Sequence, residues 1–187
     1  MKKILFSTLL LGVAIFGHTQ CTTFKPFKVD LALGYAVPGG SGAKGGVLFA
    51  IEPKYGISNN ISLGLRFEGA VMARATTNST GEYVAGDVKA SGSYLATGDY
   101  YFSTNNFRPF AGVGVGLFSS ASASVDTNGD IVEGESSNKF GAAPRAGFEF
   151  GHFRMAVEYN IAGKTGPINN NYLGVKLGFF IGGGRVK

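Results

Sequence analysis

The amino-acid sequence predicts an all-β fold, an eight-stranded antiparallel transmembrane β-barrel of the up-and-down meander type. Three observations favour this fold. Eight short segments alternate apolar and polar residues, every charge within them lies on the polar face, and a secretory leader precedes them. Alternation with a period of two is typical of strands, and an apolar exterior around a charged interior is typical of a barrel that lies in lipid.

Residues 1–19 are predicted to form a cleaved signal peptide. Lys2 and Lys3 provide the positive start, residues 4–16 are mainly apolar, and the small residues Gly17 and Thr19 precede the expected cleavage site. The apolar run of 13 residues is shorter than the roughly 20 that a spanning helix needs, which disfavours a retained anchor. These residues are therefore left out of the fold.

Cys21 offers an alternative in which the leader is of the lipoprotein type and the cysteine is lipid-modified. The large Gln20 just before it, where a small residue is needed, disfavours this alternative. As the only cysteine, Cys21 has no internal disulfide partner, and we expect a free thiol.

The mature chain is expected to form one domain. An N-terminal segment occupies 20–27, the barrel occupies 28–181, and a periplasmic tail occupies 182–187. The net charge of +5 includes the two leader lysines and is scattered, without a basic stripe among aromatics, so nucleic-acid binding is not expected.

The predicted strands lie at 28–37, 47–57, 61–75, 88–102, 109–119, 139–150, 153–161 and 172–181. In the last of them Leu173, Val175, Leu177, Phe179 and Ile181 share one face, opposite Tyr172, Gly174, Lys176, Gly178 and Phe180. The charged residues on the polar faces are Lys28, Asp30, Glu52, Lys54, Arg66, Glu68, Arg74, Lys89, Asp99, Lys139, Arg145, Glu149, Arg154, Glu158 and Lys176. Because an Arg or Lys facing lipid costs about 2–4 kcal/mol near the midplane, this segregation also fixes the strand register.

The links between strands predict which way the barrel points. Those after strands two, four and six are short (58–60, 103–108 and 151–152), and the other links are longer and rich in Gly, Ser, Thr and Asn. Short turns are typical of the periplasmic side, so both termini are expected there. The aromatic residues expected to form the inner interfacial girdle are Phe27, Tyr55, Tyr100, Phe102, Phe107, Phe148, Phe150, Phe153 and Phe179.

Four features of the sequence resemble a known family. They are the strand count, the alternation of short and long links, the segment FRPFAGVGVG at 107–116 and the closing segment YLGVKLGF at 172–179. The family is that of the small outer-membrane β-barrels of the outer membrane protein A and X type. The resemblance covers the whole mature chain. It implies the outer membrane of a Gram-negative bacterium as the location. It also implies outer-membrane lipid, lipopolysaccharide and the barrel assembly machinery as partners.

The interior is expected to hold its charges as a paired network, because an eight-stranded barrel is only wide enough for its own side chains. A narrow ion path past Arg66, Arg74, Arg145 and Lys176 is the alternative. The inward glycines at 112, 114 and 116 would leave room for long side chains. Their spacing superficially suggests a nucleotide loop, but no strand-to-helix turn follows them.

The longest link, 120–138, carries the candidate surface residues Asp126, Asn128, Asp130, Glu133 and Glu135. It fails as a helix-loop-helix calcium site because its glycine comes before the required sixth position and the twelfth position is a serine. We expect a solvated hairpin turn, with loose divalent-cation binding that bridges to lipopolysaccharide phosphates as the alternative. Together with 76–86, this link is the expected place for surface contacts.

We expect no cofactor and no catalytic residues. The histidines are His18 in the leader and His152 in a short turn, so a lipid A-modifying barrel enzyme remains a remote alternative that lacks a placed base. A soluble lipocalin-like barrel would need an apolar interior, the reverse of the pattern here. The predicted role is structural or surface-interacting, through envelope integrity or adhesion, and the alternative is a small pore for ions or small solutes.

Overall fold

The computed structural model describes residues 23–39, 43–77, 83–125, 131–133, 137–165 and 168–186. Its strands in chain order are β1 Phe27–Pro38, β2 Ala43–Gly56, β3 Ile61–Thr77, β4 Tyr83–Tyr101, β5 Phe107–Val125, β6 Ile131–Glu133, β7 Ser137–Phe150, β8 Phe153–Asn160, β9 Lys164–Thr165, β10 Ile168–Asn169 and β11 Tyr172–Gly182. None of the described residues lies in a helix that could cross a membrane.

Eight long strands close into an antiparallel barrel. Around the ring the order is β1, β2, β3, β4, β5, β7, β8 and β11, and β11 pairs with β1 to complete it. Each long strand therefore pairs with the long strand that follows it in the chain. The short β6 pairs with the end of β5, and β9 pairs with β10 in a separate hairpin. The predicted fold class is confirmed.

The outer surface of the barrel is apolar. Leu33, Val47 and Phe140 are 67 %, 68 % and 75 % exposed, and they lie on the face opposite to the charges of their strands. Most of the aromatic residues predicted for the interfacial girdle are also exposed, among them Phe27, Phe102 and Phe150. They lie near the turns that join β2 to β3, β4 to β5 and β7 to β8. A soluble ligand-binding barrel would have the opposite arrangement.

The two ends of the barrel differ. At the short-turn end lie the links 57–60, 102–106 and 151–152, together with both termini of the barrel. At the opposite end, called here the extended end, β3, β4 and β5 are 17, 19 and 19 residues long. An apolar band of about 25 Å needs only about ten residues at a tilt of roughly 40°, so these strands reach well beyond it.

This extension corrects two of the predicted links. Most of 76–86, expected to be a surface loop, is strand, because β3 runs to Thr77 and β4 begins at Tyr83. The link 120–138 is shortened as well, because β5 continues to Val125 and Ile131–Glu133 pairs back onto it. The segment 119–125 alternates serine with only small apolar residues, Ala121, Ala123 and Val125, and its backbone pairs with β4 without interruption.

Candidate functional site

The interior of the barrel is filled with charged side chains. Among the described residues, seven basic and six acidic side chains are buried inside: Lys28, Asp30, Glu52, Lys54, Arg66, Glu68, Asp99, Arg108, Arg145, Glu149, Arg154, Glu158 and Lys176. We call this set the ionic core. Burial inside a barrel requires each charge to find a partner, because an unpaired buried ion costs several kcal/mol.

The part of the ionic core nearest the short-turn end is organised around Glu149. Its Oε1 accepts hydrogen bonds from Lys28 Nζ, from the Tyr101 hydroxyl at 2.8 Å and from Arg154 Nη1 at 2.5 Å. Arg108 Nη1 lies 3.5 Å from Oε2 of the same carboxylate. One carboxylate thus gathers groups from β1, β4, β5 and β8, and we call these residues the Glu149 cluster.

The middle of the ionic core is organised around Asp99. Its Oδ2 pairs with Lys54 Nζ at 2.7 Å and with Arg154 Nη2 at 2.9 Å, and its Oδ1 accepts from Arg145 Nε at 2.8 Å. Arg145 also holds both oxygens of Glu52, at 2.7 and 2.9 Å. Because Arg154 belongs to both groups, this Asp99 cluster is continuous with the Glu149 cluster.

The part nearest the extended end is organised around Glu158. This carboxylate pairs with Arg66 and, at 3.1 Å, with Lys176 Nζ. Lys176 Nζ also donates to Glu68 at 2.7 Å, and the Tyr172 hydroxyl donates to Glu68 at 2.6 Å. We call these residues the Glu158 cluster. Asp30 joins the Asp99 cluster, because its Oδ2 lies 2.8 Å from Lys54 Nζ and 3.5 Å from Arg154 Nε. The six carboxylates and seven cations of the ionic core therefore form three groups that follow one another from the short-turn end toward the extended end.

Apolar side chains close the interior above the Glu158 cluster. Leu48 and Met72 pack with Ala36, Ala70 and Tyr172, and Leu95 and Phe118 form a second group with Ala143 and Ala162. Each of Leu48, Met72, Leu95 and Phe118 lies further toward the extended end than the ionic-core residues of its own strand. These four residues share the inward face with the charges, and an apolar layer on that face was not among the predictions.

At the short-turn end, the first and last described segments of the chain pair with each other beside the mouth of the barrel. The amide of Lys25 donates to the Gly184 carbonyl oxygen and that of Val186 to the Thr23 carbonyl oxygen, both at 2.9 Å. The residues paired in this way, 23–26 and 184–186, are called the terminal clasp. They fall within the segments expected to be an N-terminal segment and a tail.

Phe24 anchors the clasp to the ionic core. The Phe24 ring is buried, and the Arg108 guanidinium lies 3.9 Å from its centroid and 4.0 Å from that of Tyr101. Gly182 and Gly183 have φ angles of 83° and 62°, a left-handed conformation that turns the chain from β11 toward the clasp. Arg108 was expected to lie in a turn, but it shares the inward face of β5 with Phe110 and is buried.

Several predicted site residues lie outside what the structure describes. Asp126, Asn128, Asp130 and Glu135 belong to segments outside the described residues. Glu133 is described only through its backbone in β6, which pairs with Ala123. The backbones of Arg74 and Lys89 pair with Asp87 and Met72 in the β3–β4 ladder, and their side chains lie outside the described part.

Of the three inward glycines expected to leave room for long side chains, Gly112 does so for the ionic core, whereas a Cβ at Gly116 would meet the Tyr94 carbonyl oxygen and Leu95. A Cβ at Gly112 would overlap Asp99 Oδ1 and the Gly98 carbonyl oxygen. Gly114 faces Leu95 instead, so it accommodates the apolar layer rather than a charge. The close approach of β5 to Asp99 therefore depends on the missing side chain at Gly112.

His152 is part of a backbone contact. Its Nδ1–H donates to the Phe180 carbonyl oxygen at 3.1 Å, and its ring lies 5.1 Å from that of Phe180. His18 lies outside the described residues. Within the described ranges, no three His, Cys, Asp or Glu side chains are placed to hold a metal ion.

Similar folds occur among solved structures. Neisserial surface protein A matches with a TM-score of 0.54 and 17 % identity, over 83 % of this chain and 96 % of that one. OprG from Pseudomonas aeruginosa matches with a TM-score of 0.53 and 14 % identity, over 88 % and 99 %. Ail of Yersinia pestis has a TM-score of 0.48 and 17 % identity, over 86 % and 99 %. No family model and no curated protein matches the sequence. The chain has the fold of the small eight-stranded outer-membrane barrels.

Proposed function

We propose that this chain is a non-catalytic outer-membrane protein of a Gram-negative bacterium, in which a rigid barrel holds a binding surface at its extended end. The exposed apolar exterior supports a location in lipid, and the leader supports export. Lipopolysaccharide and the barrel assembly machinery are the partners that this location implies. The extended end then faces outward and the short-turn end faces the periplasm.

The observation that carries the proposal is the filled interior. Thirteen buried charges of the described residues pair with one another, and an apolar layer closes the described interior toward the extended end. At the other end, Phe24 of the terminal clasp packs on Arg108. Among the described residues, this packing leaves no open path for a substrate or a solute, which supports a role outside the interior. We therefore expect selective contacts with other molecules to be made at the extended end, by the parts of β3, β4, β5 and β6 that lie beyond the apolar band and by the loops between them.

Location is tested by fractionation of cells that express the full chain. We expect the protein in the outer-membrane fraction, shortened at its amino terminus, with faster gel migration when the sample is not boiled. Recovery from the soluble fraction without detergent would contradict the proposal. An epitope inserted at 128, but not one inserted at 105, should be accessible to antibody on intact cells.

The binding role is tested by replacing residues 126–136 with a Gly-Ser segment of equal length. Whole cells that carry the variant should lose adhesion to host matrix or host-cell surfaces, because this segment includes four of the acidic residues expected to face outward. The matched control is a Gly-Ser replacement of 103–106 at the short-turn end, which should leave adhesion unchanged. Equal adhesion by both variants and by cells without the protein would contradict a surface-binding role.

The alternative of a small pore is tested with the purified protein in planar lipid bilayers. We expect no stepwise conductance, because a path would have to pass Arg66, Arg145 and the apolar layer. Conductance steps that disappear in an Arg145→Met variant would favour the pore instead.

A further inference from the structure

The exposed charges at the short-turn end are all positive in the part of the chain that the structure describes. Lys25 and Arg185 of the terminal clasp are exposed, and neither forms an ion pair with another described residue. The three links at this end contain no acidic residue, no lysine and no arginine, and His152 lies in one of them. The positive charge is therefore confined to one part of this end.

Backbone pairing places these two cations next to each other. The Lys25 amide donates to the Gly184 carbonyl oxygen at 2.9 Å, and Arg185 is the bridge partner of Phe24. His152 of the β7–β8 turn is also adjacent, because a Cβ at Gly184 would lie 3.4 Å from its Cε1 and Nε2. We call Lys25, Arg185 and His152 the basic corner of the short-turn end.

The basic corner borders the lipid-facing surface of the barrel. Phe153, Phe179 and Phe27 are exposed on β8, β11 and β1, which are neighbours in the ring. Aromatic residues of such a girdle lie at the level of the lipid headgroups. Lys25 is two residues before Phe27, a distance of at most about 7 Å along an extended chain. Because a lysine stem extends along an apolar surface toward charged groups, its ammonium is within reach of headgroup phosphates.

The chemistry of the basic corner favours a phosphate ligand. A lysine ammonium and an arginine guanidinium both donate charge-assisted hydrogen bonds to phosphate oxygens. An anionic membrane surface attracts such residues, and each contributes to binding. The absence of acidic residues from the described segments at this end leaves the attraction uncompensated.

We propose that the basic corner binds the headgroup phosphate of an anionic phospholipid in the periplasmic leaflet, with Lys25 and Arg185 as its ligands. This inference rests on the proposed outer-membrane location, and it adds a lipid partner at the end opposite to the proposed binding surface. Because both ligands belong to the terminal clasp, the bound headgroup holds the clasp at the membrane surface.

The test is nuclear magnetic resonance on the full mature chain in nanodiscs, in which phosphatidylglycerol replaces part of the phosphatidylcholine. We expect the amide signals of Lys25, Gly184 and Arg185 to shift, and to saturate as the fraction of phosphatidylglycerol rises. The amides of Ser58 and Asn105, in the two other links, are matched controls and should shift little. No shift at the first three amides, or equal shifts at all five, would overturn the proposal.

A comparison of variants separates these two cations from exposed lysines in general. The double variant Lys25→Gln and Arg185→Gln should bind phosphatidylglycerol about 25-fold more weakly, because each cation near an anionic surface contributes about fivefold. The Gly184 amide reports the binding. Lys164→Gln, which alters an exposed lysine at the extended end, is the matched control and should bind as the unaltered chain does. Equal binding by the two variants would contradict the site.

Salt provides a test that needs no substitution and decides if the double variant does not fold. Exposed charges are screened by dissolved ions, so added sodium chloride should weaken the shifts that phosphatidylglycerol causes at the basic corner of the unaltered chain. Shifts that do not depend on salt would contradict binding through these two cations.

Two further outcomes identify the source of the phosphate and separate this inference from the proposed function. Free glycerol phosphate, added to nanodiscs of phosphatidylcholine alone, should not shift the same amides. Equal shifts would make a soluble phosphate the ligand and overturn the lipid assignment. Failure of the chain to enter nanodiscs would contradict the membrane location itself, whereas entry without the lipid-dependent shifts would contradict only the lipid site.

Discussion

Arg145 holds Glu52 across the full diameter of the barrel. Arg145 Nη2 donates to Oε1 at 2.7 Å and Nη1 to Oε2 at 2.9 Å, and their strands, β7 and β2, lie four positions apart in a ring of eight. Arg66 of β3 and Glu158 of β8 are related in the same way. Two ion pairs thus connect opposite walls of the barrel, and we call these two pairs the brace. They fix the distance between opposite strands in addition to filling the interior.

The first prediction is that breaking this brace from one side is costly. Arg145→Met leaves Glu52 and Asp99 as buried carboxylates with fewer partners, so we expect a loss of about 3–5 kcal/mol in the free energy of unfolding. Glu52→Met should cost a similar amount. Urea unfolding in lipid vesicles, followed by heat-modifiable migration, measures both.

The double variant separates pairing from packing. Because Arg145→Met and Glu52→Met together remove both charges, the loss should be smaller than the sum of the two single losses. Arg185→Met, an exposed position in the terminal clasp, is the control and should change stability little. The hypothesis would be contradicted if each single variant lost no more unfolding free energy than Arg185→Met and the double variant lost only the sum of the two.

The second prediction concerns the close approach at Gly112. A Gly112→Ala substitution should displace Asp99 and destabilise the barrel by about 1–3 kcal/mol, the usual cost of overpacking. Gly69→Ala is the matched control, because nothing lies within 4 Å of a Cβ at that outward position of β3. The same unfolding assay applies, and equal stability of the two variants would show that the Gly112 contact is not required.

The alternation in the sequence was sufficient to predict which way side chains point. Arg66 and Glu158 were assigned to the polar face because strand side chains repeat with a period of two, and both are buried inside. The same rule would have placed Arg108 inside, since it shares the face of Phe110 and Gly112. The predicted strand begins at 109, two residues after the start of β5 at Phe107, so the prediction placed Arg108 in the link.

The pairing of charges could not be predicted in the same way. Which residues meet across the barrel depends on the tilt and stagger of the strands, and the alternation carries no information about either. Arg145 and Glu52 therefore gave no sign of being partners. The end of β5 at 120–125 was missed for a different reason, because its alternating apolar residues, Ala121, Ala123 and Val125, are small and give a weak signal.

The third prediction tests the depth of the apolar band. Ala96 and Ala90 both point outward from β4, but Ala96 lies six positions closer to the short-turn end, near mid-height. Ala96→Arg should destabilise the barrel in lipid by about 2–4 kcal/mol, and Ala90→Arg by about 0–1 kcal/mol. Refolding into vesicles, with urea titration, measures the difference. Equal effects would place the two positions at the same depth.

The fourth prediction is that Phe24 keeps the terminal clasp closed. Phe24→Ala removes one of the two rings that enclose the Arg108 guanidinium, a contact of about 0.5–2 kcal/mol at partly buried sites. The amide of Val186, which donates to the Thr23 carbonyl oxygen, should then exchange with solvent faster. Lys25→Ala, an exposed neighbour whose backbone bond is unchanged, should leave this exchange unaltered. Hydrogen exchange followed by nuclear magnetic resonance compares the two variants. Equal protection of Val186 in both would mean that the backbone ladder holds the clasp without the Phe24 contact.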